Sequence, residues 1–176
     1  ARRGRDLDPL TPQSTVELGW TLYHARRYDD AIRELRTVLA ADPGHVGAMW
    51  YLGFALIDAL RHDEAIATLE RLAVAWNRNS AGLGVLARAY AAAGRMTDAQ
   101  GVIHELEQRA EAGYVPPAVF VNAYSALGDA DRMFAAMQRA YEERSNIVRF
   151  LKTHPVYDAY RGDRRFHQFL ARVGLD

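Results

Sequence analysis

The chain repeats itself every 34 residues. Shifted by that interval, Leu18 falls on Leu52, Leu86 and Phe120, and Gly19 on Gly53, Ala87 and Val121. Leu22 falls on Leu56, Tyr90 and Tyr124. Ala31 falls on Ala65, Ala99 and Met133, and Leu35 on Leu69, Ile103 and Met137. The register runs through four copies, 12–45, 46–79, 80–113 and 114–147, with no insertion or deletion. A unit of this size is one supersecondary motif. It cannot bury its apolar face alone, so it has to stack on its neighbours.

Each copy splits into two helical patterns. In the first, Val16, Leu18, Gly19 and Leu22 recur at helical spacing. A turn follows at Arg26–Tyr28. A second helix begins at Asp29-Asp30, acids suited to a helix N-terminus, and carries Ala31, Ile32, Leu35, Val38 and Leu39 on one face. Asp42-Pro43-Gly44 stops it. Copies three and four place Gly94 and Gly128 at the inner turn, where a left-handed residue ends a helix at little strain. Small residues at Gly19 and Gly53, expected to face Ala31 and Ala65, would let the helices of a hairpin cross closely. Copy four has Val121 and Met133 there, which predicts a looser crossing.

These residues resemble the tetratricopeptide repeat family. The Leu18-Gly19 and Leu52-Gly53 pairs, the aromatics Tyr90 and Tyr124, the early alanines Ala31, Ala65 and Ala99, and the terminal Asp42-Pro43 fit its pattern. Asp8-Pro9 fits the end of a preceding copy over 1–11, so the chain is expected to be cut from a longer one. The resemblance implies an all-α fold: four helix-turn-helix repeats in a right-handed superhelical stack. Copies two and three lack the terminal proline, which leaves those two junctions less defined.

The tail, from 148 to 176, leaves the register. Asp163 can cap a last helix carrying Phe166, Phe169, Leu170 and Val173 on one face and ended by Gly174. Such C-terminal capping helices cover the last hairpin, as repeat stacks require. The run Val115-Pro116-Pro117, Leu127-Gly128-Asp129, Tyr141–Ser145 and His154-Pro155 to Arg164-Arg165-Phe166 is similar to the C-terminal repeats of multidomain bacterial regulators.

In the family, the first helices line a concave face. Positions around the Leu-Gly pair then point inward: Val16, Trp20, Tyr23 and His24 in copy one, and Trp50, Phe54 and Ile57 in copy two. Arg88 follows in copy three and Asn122 in copy four. Two tryptophans on one face suit an interface anchor. The same aromatics could equally be buried between repeats. Lysines and asparagines that clamp a terminal carboxylate in part of the family are replaced here by Val16, Trp20, Trp50 and Phe54. Arg88 with Asn122 could still hold one carboxylate.

No catalytic set is found. The six histidines form no metal-ligand pattern, and His104-Glu105 lacks the second histidine. Gly82-Leu83-Gly84-Val85-Leu86-Ala87 imitates a dinucleotide loop but lies inside a helix pattern, with no strand before it. Acid pairs such as Asp63-Glu64 start helices. Basic and acidic residues number 22 each, so no overall basic excess draws nucleic acid or an anionic membrane. Cysteine is absent, and no apolar run approaches the ~20 residues of a membrane helix. The expected function is therefore a cytoplasmic protein-interaction module, without cofactor or metal. It would bind an apolar or aromatic peptide or helix. The alternative is a surface that packs on the parent protein's own effector domain or on a second copy.

Overall fold

The computed structural model describes residues 11–175. Among them, nine α-helices follow in order: α1 (Pro12–His24), α2 (Tyr28–Ala41), α3 (Val46–Asp58), α4 (His62–Ala75), α5 (Ser80–Ala92), α6 (Met96–Ala112), α7 (Pro117–Ala126), α8 (Ala130–Glu142) and α9 (Arg164–Arg172). Two 3-10 segments, Asn146–Phe150 and Pro155–Tyr160, lie between α8 and α9, and no strand occurs among the described residues. The remnant of a preceding repeat, expected over 1–11, falls outside the described residues except for Thr11.

The helices pair in sequence as hairpins, and consecutive hairpins stack, giving an all-helical repeat array. The buried positions follow the period. Leu35 and Leu69 are fully buried at equivalent places on α2 and α4, and Leu18, Leu52 and Leu86 are buried on α1, α3 and α5. A buried leucine contributes roughly 1.5–3 kcal/mol, so the repeated leucines form the spine of the stack.

Local devices recur with the same period. Each inner turn passes through one left-handed residue: Arg26 (φ 61°), Leu60 (φ 60°), Gly94 (φ 75°) and Gly128 (φ 68°). Only glycine adopts that backbone without strain. The next residue begins the second helix and is tied to the acid three places on. Arg27 Nε donates to Asp30 (2.6 Å), Arg61 Nε to Glu64 (2.6 Å) and Arg95 Nε to Asp98 (2.7 Å). Copy four reverses the pair: Asp129 Oδ1 accepts from the Arg132 backbone N–H at 3.0 Å, and Arg132 Nε returns to Asp129 at 2.6 Å.

The space beside Gly19 is filled first of all by Leu35. A Cβ built there would lie 2.6 Å from Leu35 Cγ, and one on Gly53 would meet Leu69 in the same way. The leucine one turn further along the second helix has the length to reach across. The crossing in copy four is not looser. α7 and α8 pack as closely as the other hairpins, because Met133 and Met137 are flexible enough to fill the interface and are fully buried there.

The third junction differs from the first two. At junctions one and two, the second helix of one hairpin packs on the first helix of the next. Capping side chains start those next helices: His45 Nδ1 accepts from Ala48 N–H at 3.2 Å, and Asn79 Oδ1 from Ala81 N–H at 2.9 Å. At junction three, α6 runs on to Ala112, and Pro116-Pro117 delay α7 to residue 117. α7 then packs on α5 instead of α6. Gly84 makes this possible, since a Cβ there would stand 2.8 Å from the Val119 carbonyl oxygen. The gap left between α6 and the last hairpin is a cleft of about 280 Å³ whose wall includes Glu107, Tyr124 and Arg132.

Helix α9 lies on α8, with Phe166 and Phe169 buried. Tyr141 meets Phe169 edge-on at 5.9 Å, Arg165 stands 4.5 Å over the Phe134 ring, and Arg172 donates to Gln138 at 2.8 Å. Asp163 caps this helix by accepting from Arg165 N–H at 2.8 Å.

Candidate functional site

The first helices of the four hairpins bring the predicted residues to one face. Trp20, Tyr23 and His24 come from α1, and Trp50 and Phe54 from α3, with Tyr51 added between them. Trp20 stacks on Tyr51 at 4.3 Å, and Tyr51 on Trp50 at 5.4 Å. Phe54 lies 5.8 Å from Trp20 and 5.9 Å from Trp50. Offset and edge contacts of this kind are the arrangements that aromatic rings prefer. The face is not uniformly open. Val16, Tyr23, Phe54 and Ile57 are buried by their own chain, while Trp20, His24, Trp50, Arg88 and Asn122 are half-buried.

A polar cluster ties the first three hairpins beneath this face. Tyr23 Oη donates to Asp58 Oδ2 at 2.9 Å, and Arg88 donates to both Asp58 oxygens at 2.6 and 3.3 Å. Burial foremost, with Asp58 beside it and Arg88 opposing, holds the Tyr23 hydroxyl well above its ordinary range, so it remains a donor. The expectation that Arg88 and Asn122 hold a partner's carboxylate is corrected here. Asp58, one hairpin earlier, already takes both arms of the guanidinium.

The segment after α8 returns across the stack and lies on the aromatic face. Arg26 anchors it, donating to the Thr153 carbonyl and to Asp158, both at 2.8 Å. Phe150 stacks on His24 at 4.9 Å and meets Trp20 edge-on at 5.9 Å. His154 stands edge-on among Phe54 (5.2 Å), Tyr23 (5.5 Å) and Trp20 (5.8 Å). Its Nδ1 accepts from Val156 N–H at 3.2 Å, starting the second 3-10 segment.

Both histidines are held toward the neutral form. Burial foremost, then the positive charges of Arg88, His24 and Arg26, pushes His154 well below the ordinary imidazole value. Burial also lowers His24, and Arg26 adds to this. The Thr153 carbonyl acts in the opposite direction, yet neither ring nitrogen of His24 reaches a hydrogen bond of good geometry. Buried imidazoles disfavour the charge that protonation brings.

Between the face and the returning segment lies a cavity of about 380 Å³. Trp50, Tyr51, Asn122, Phe150 and His154 are among its walls. Two of these residues carry buried polar atoms with no partner among the described residues: Trp50 Nε1 and Asn122 Oδ1. Each such group is worth roughly 1–3 kcal/mol against the fold when unpaired. No cluster of three or more His, Cys, Asp or Glu side chains able to hold a metal occurs among the described residues. No helix there is long and apolar enough to cross a membrane.

Sequence reasoning located the face but not what lies on it. Phe150 and His154 fall outside the period, so no register assigned them a place. Residues 22–75, from the end of α1 to the end of α4, match the family profile described as tetratricopeptide repeat. No curated protein matches the chain.

Proposed function

We propose, for a chain that carries tetratricopeptide repeats, that its concave aromatic face receives a peptide segment bearing aromatic side chains, and that residues 146–160 act as an internal stand-in for that segment. Repeats of this family mediate protein–protein interaction. The observation that carries the reading is the seat of Phe150 and His154 among Trp20, His24, Tyr23 and Phe54. A short, mostly apolar segment anchored by two rings and one arginine contact is what such a groove would take from a partner. A partner must then either displace the tail or resemble it. We further propose, from the resemblance of the C-terminal repeats, that the module works in the cytoplasm within a larger bacterial regulator. The returning tail favours regulation inside the chain over assembly of two copies.

The test is a titration with a labelled synthetic peptide of residues 145–161. The paired substitution Phe150→Ser and His154→Ser weakens the internal segment, and circular dichroism checks that the stack remains. The peptide should bind this variant at least ten-fold more tightly than the parent protein, and Trp20→Ala in the same background should remove the binding. If the folded variant shows no saturable binding, the groove is not a peptide site.

A further inference from the structure

We infer that the cavity beneath the returning segment is a binding site for a small neutral molecule with an apolar, flat body and one hydrogen-bond donor and one acceptor. This goes beyond the peptide reading and does not depend on it, because the cavity exists only while the tail is in place.

Three observations define the ligand. The first is size. At about 380 Å³ the cavity lies within the range of small-molecule sites. It would hold roughly a dozen non-hydrogen atoms at the ~30 Å³ that each molecule of liquid water occupies. The second is the wall. Trp20, Trp50, Tyr51, Phe54 and Phe150 present rings, and no Asp, Glu, Lys or Arg stands among the residues that wall it. Its one titratable imidazole, His154, is kept neutral by burial. A charged ligand would leave its hydration with no counter-charge to replace it. The third is the pair of polar atoms without partners. Trp50 Nε1 can only donate, and Asn122 Oδ1 can only accept. They belong to two different helices of the wall, α3 and α7. The terminal torsions of both side chains are broad, so a modest turn presents either atom to an occupant. One molecule with an acceptor at one end of a polar edge and a donor at the other satisfies both. A lactam or primary amide on a fused aromatic ring has that form.

The ligand would be gripped by α1, α3 and α7 on one side and by the tail on the other. It would therefore hold the tail down, and a tail-displacing peptide would release it. The site reads as a point where a small molecule controls access to the groove.

Neutral bicyclic probes test this on the intact protein: 2-quinolinone, 1-naphthamide and indole-3-carboxamide, with quinoline-2-carboxylate as the charged control. Ligand-observed NMR and tryptophan fluorescence report binding. At least one neutral probe should saturate, the carboxylate should not, and Trp50→Phe and Asn122→Leu should each weaken the neutral probe ten-fold or more. Trp50→Phe removes the N–H together with one ring of the indole, so its effect is read against Trp20→Phe, which trims the other tryptophan of the wall by the same amount and should weaken the probe less; thermal melts confirm the fold of both. The inference is overturned if no neutral probe saturates, if the carboxylate binds as well, or if binding survives both substitutions. Failure here leaves the peptide titration standing, since that experiment is done on the variant with the tail weakened.

Discussion

Junctions one and two and junction three are built from the same period but not from the same contacts. In the first two, α2 passes α3 and α4 passes α5 in the regular way, and a polar cluster from Tyr23 through Asp58 to Arg88 stitches three hairpins together. At the third, α6 runs long, prolines delay α7, and α7 settles on α5 across Gly84. A repeat register fixes which residues are apolar and where each hairpin turns. It does not fix how one hairpin meets the next. That is decided by a few residues at the joint, and here they seat α7 on α5, with Val119 and Asn122 among the walls of the cavity that the tail covers.

The largest effect should come from the regular side. Asp58→Ala leaves the Arg88 side chain, only 12% exposed, with no counter-charge and takes the acceptor from Tyr23, so it should lower stability by about 3 kcal/mol. A urea unfolding midpoint measures it. A change below about 1 kcal/mol would mean that leucine packing alone holds the first three hairpins together.

On the irregular side, Gly84→Ala pushes a Cβ against the Val119 carbonyl, which cannot move without α7. It should cost about 2 kcal/mol, and amide exchange should speed up in α7 and α8 while α1 to α4 stay protected. Uniform loss of protection would show that the two kinds of junction unfold as one unit.

The attachment of the tail should depend on pH. His24 and His154 have lowered pKa values when the tail is docked, whereas a free imidazole titrates near 6.5. Protons therefore bind better to the undocked state. Docking is at full strength above about pH 6.5 and weakens as pH falls below it. Tryptophan fluorescence and limited proteolysis between pH 8 and pH 5 should show the tail loosening while helicity persists. Docking that is unchanged at pH 5 would contradict this linkage.

The smallest effect lies in a turn. Leu60 is 77% exposed and left-handed at the place where copies three and four use glycine. Leu60→Gly relieves strain, loses no packing and gives back part of the gain as freedom of the unfolded chain. It should stabilise by about 0.5 kcal/mol. A thermal melt that falls would show that the side chain makes a contact after all.

The legible part of this molecule was the part that repeats. Leu18, Leu35 and their equivalents announced the core, and α1, α3 and α5 begin at Pro12, Val46 and Ser80, one period apart. The capping of α9 by Asp163 was readable for a similar reason, being local chemistry between neighbours in sequence. The rest depends on contacts between distant residues. Arg88 looked available because its partner, Asp58, is 30 residues away and lies within an apolar helix. The shift of α7 could be suspected from Pro116-Pro117 but not measured, since a proline fixes where a helix starts and not what it packs against. The seat of Phe150 on His24 has no sequence signature at all. The sequence left the aromatic face either open as a groove or buried between repeats; half of it is covered instead by the returning tail.

The bond from Arg26 to Thr153 joins residues 127 apart in sequence. A stack of hairpins without it behaves like a spring, whose pitch changes easily because each turn touches only the next. A tail fixed to the first hairpin after leaving the last one is a strut across that spring. Stretching or twisting the array then has to break the strut before the pitch can change. The array should resist small forces stiffly and give way in one step, in contrast to the gradual extension of an open solenoid.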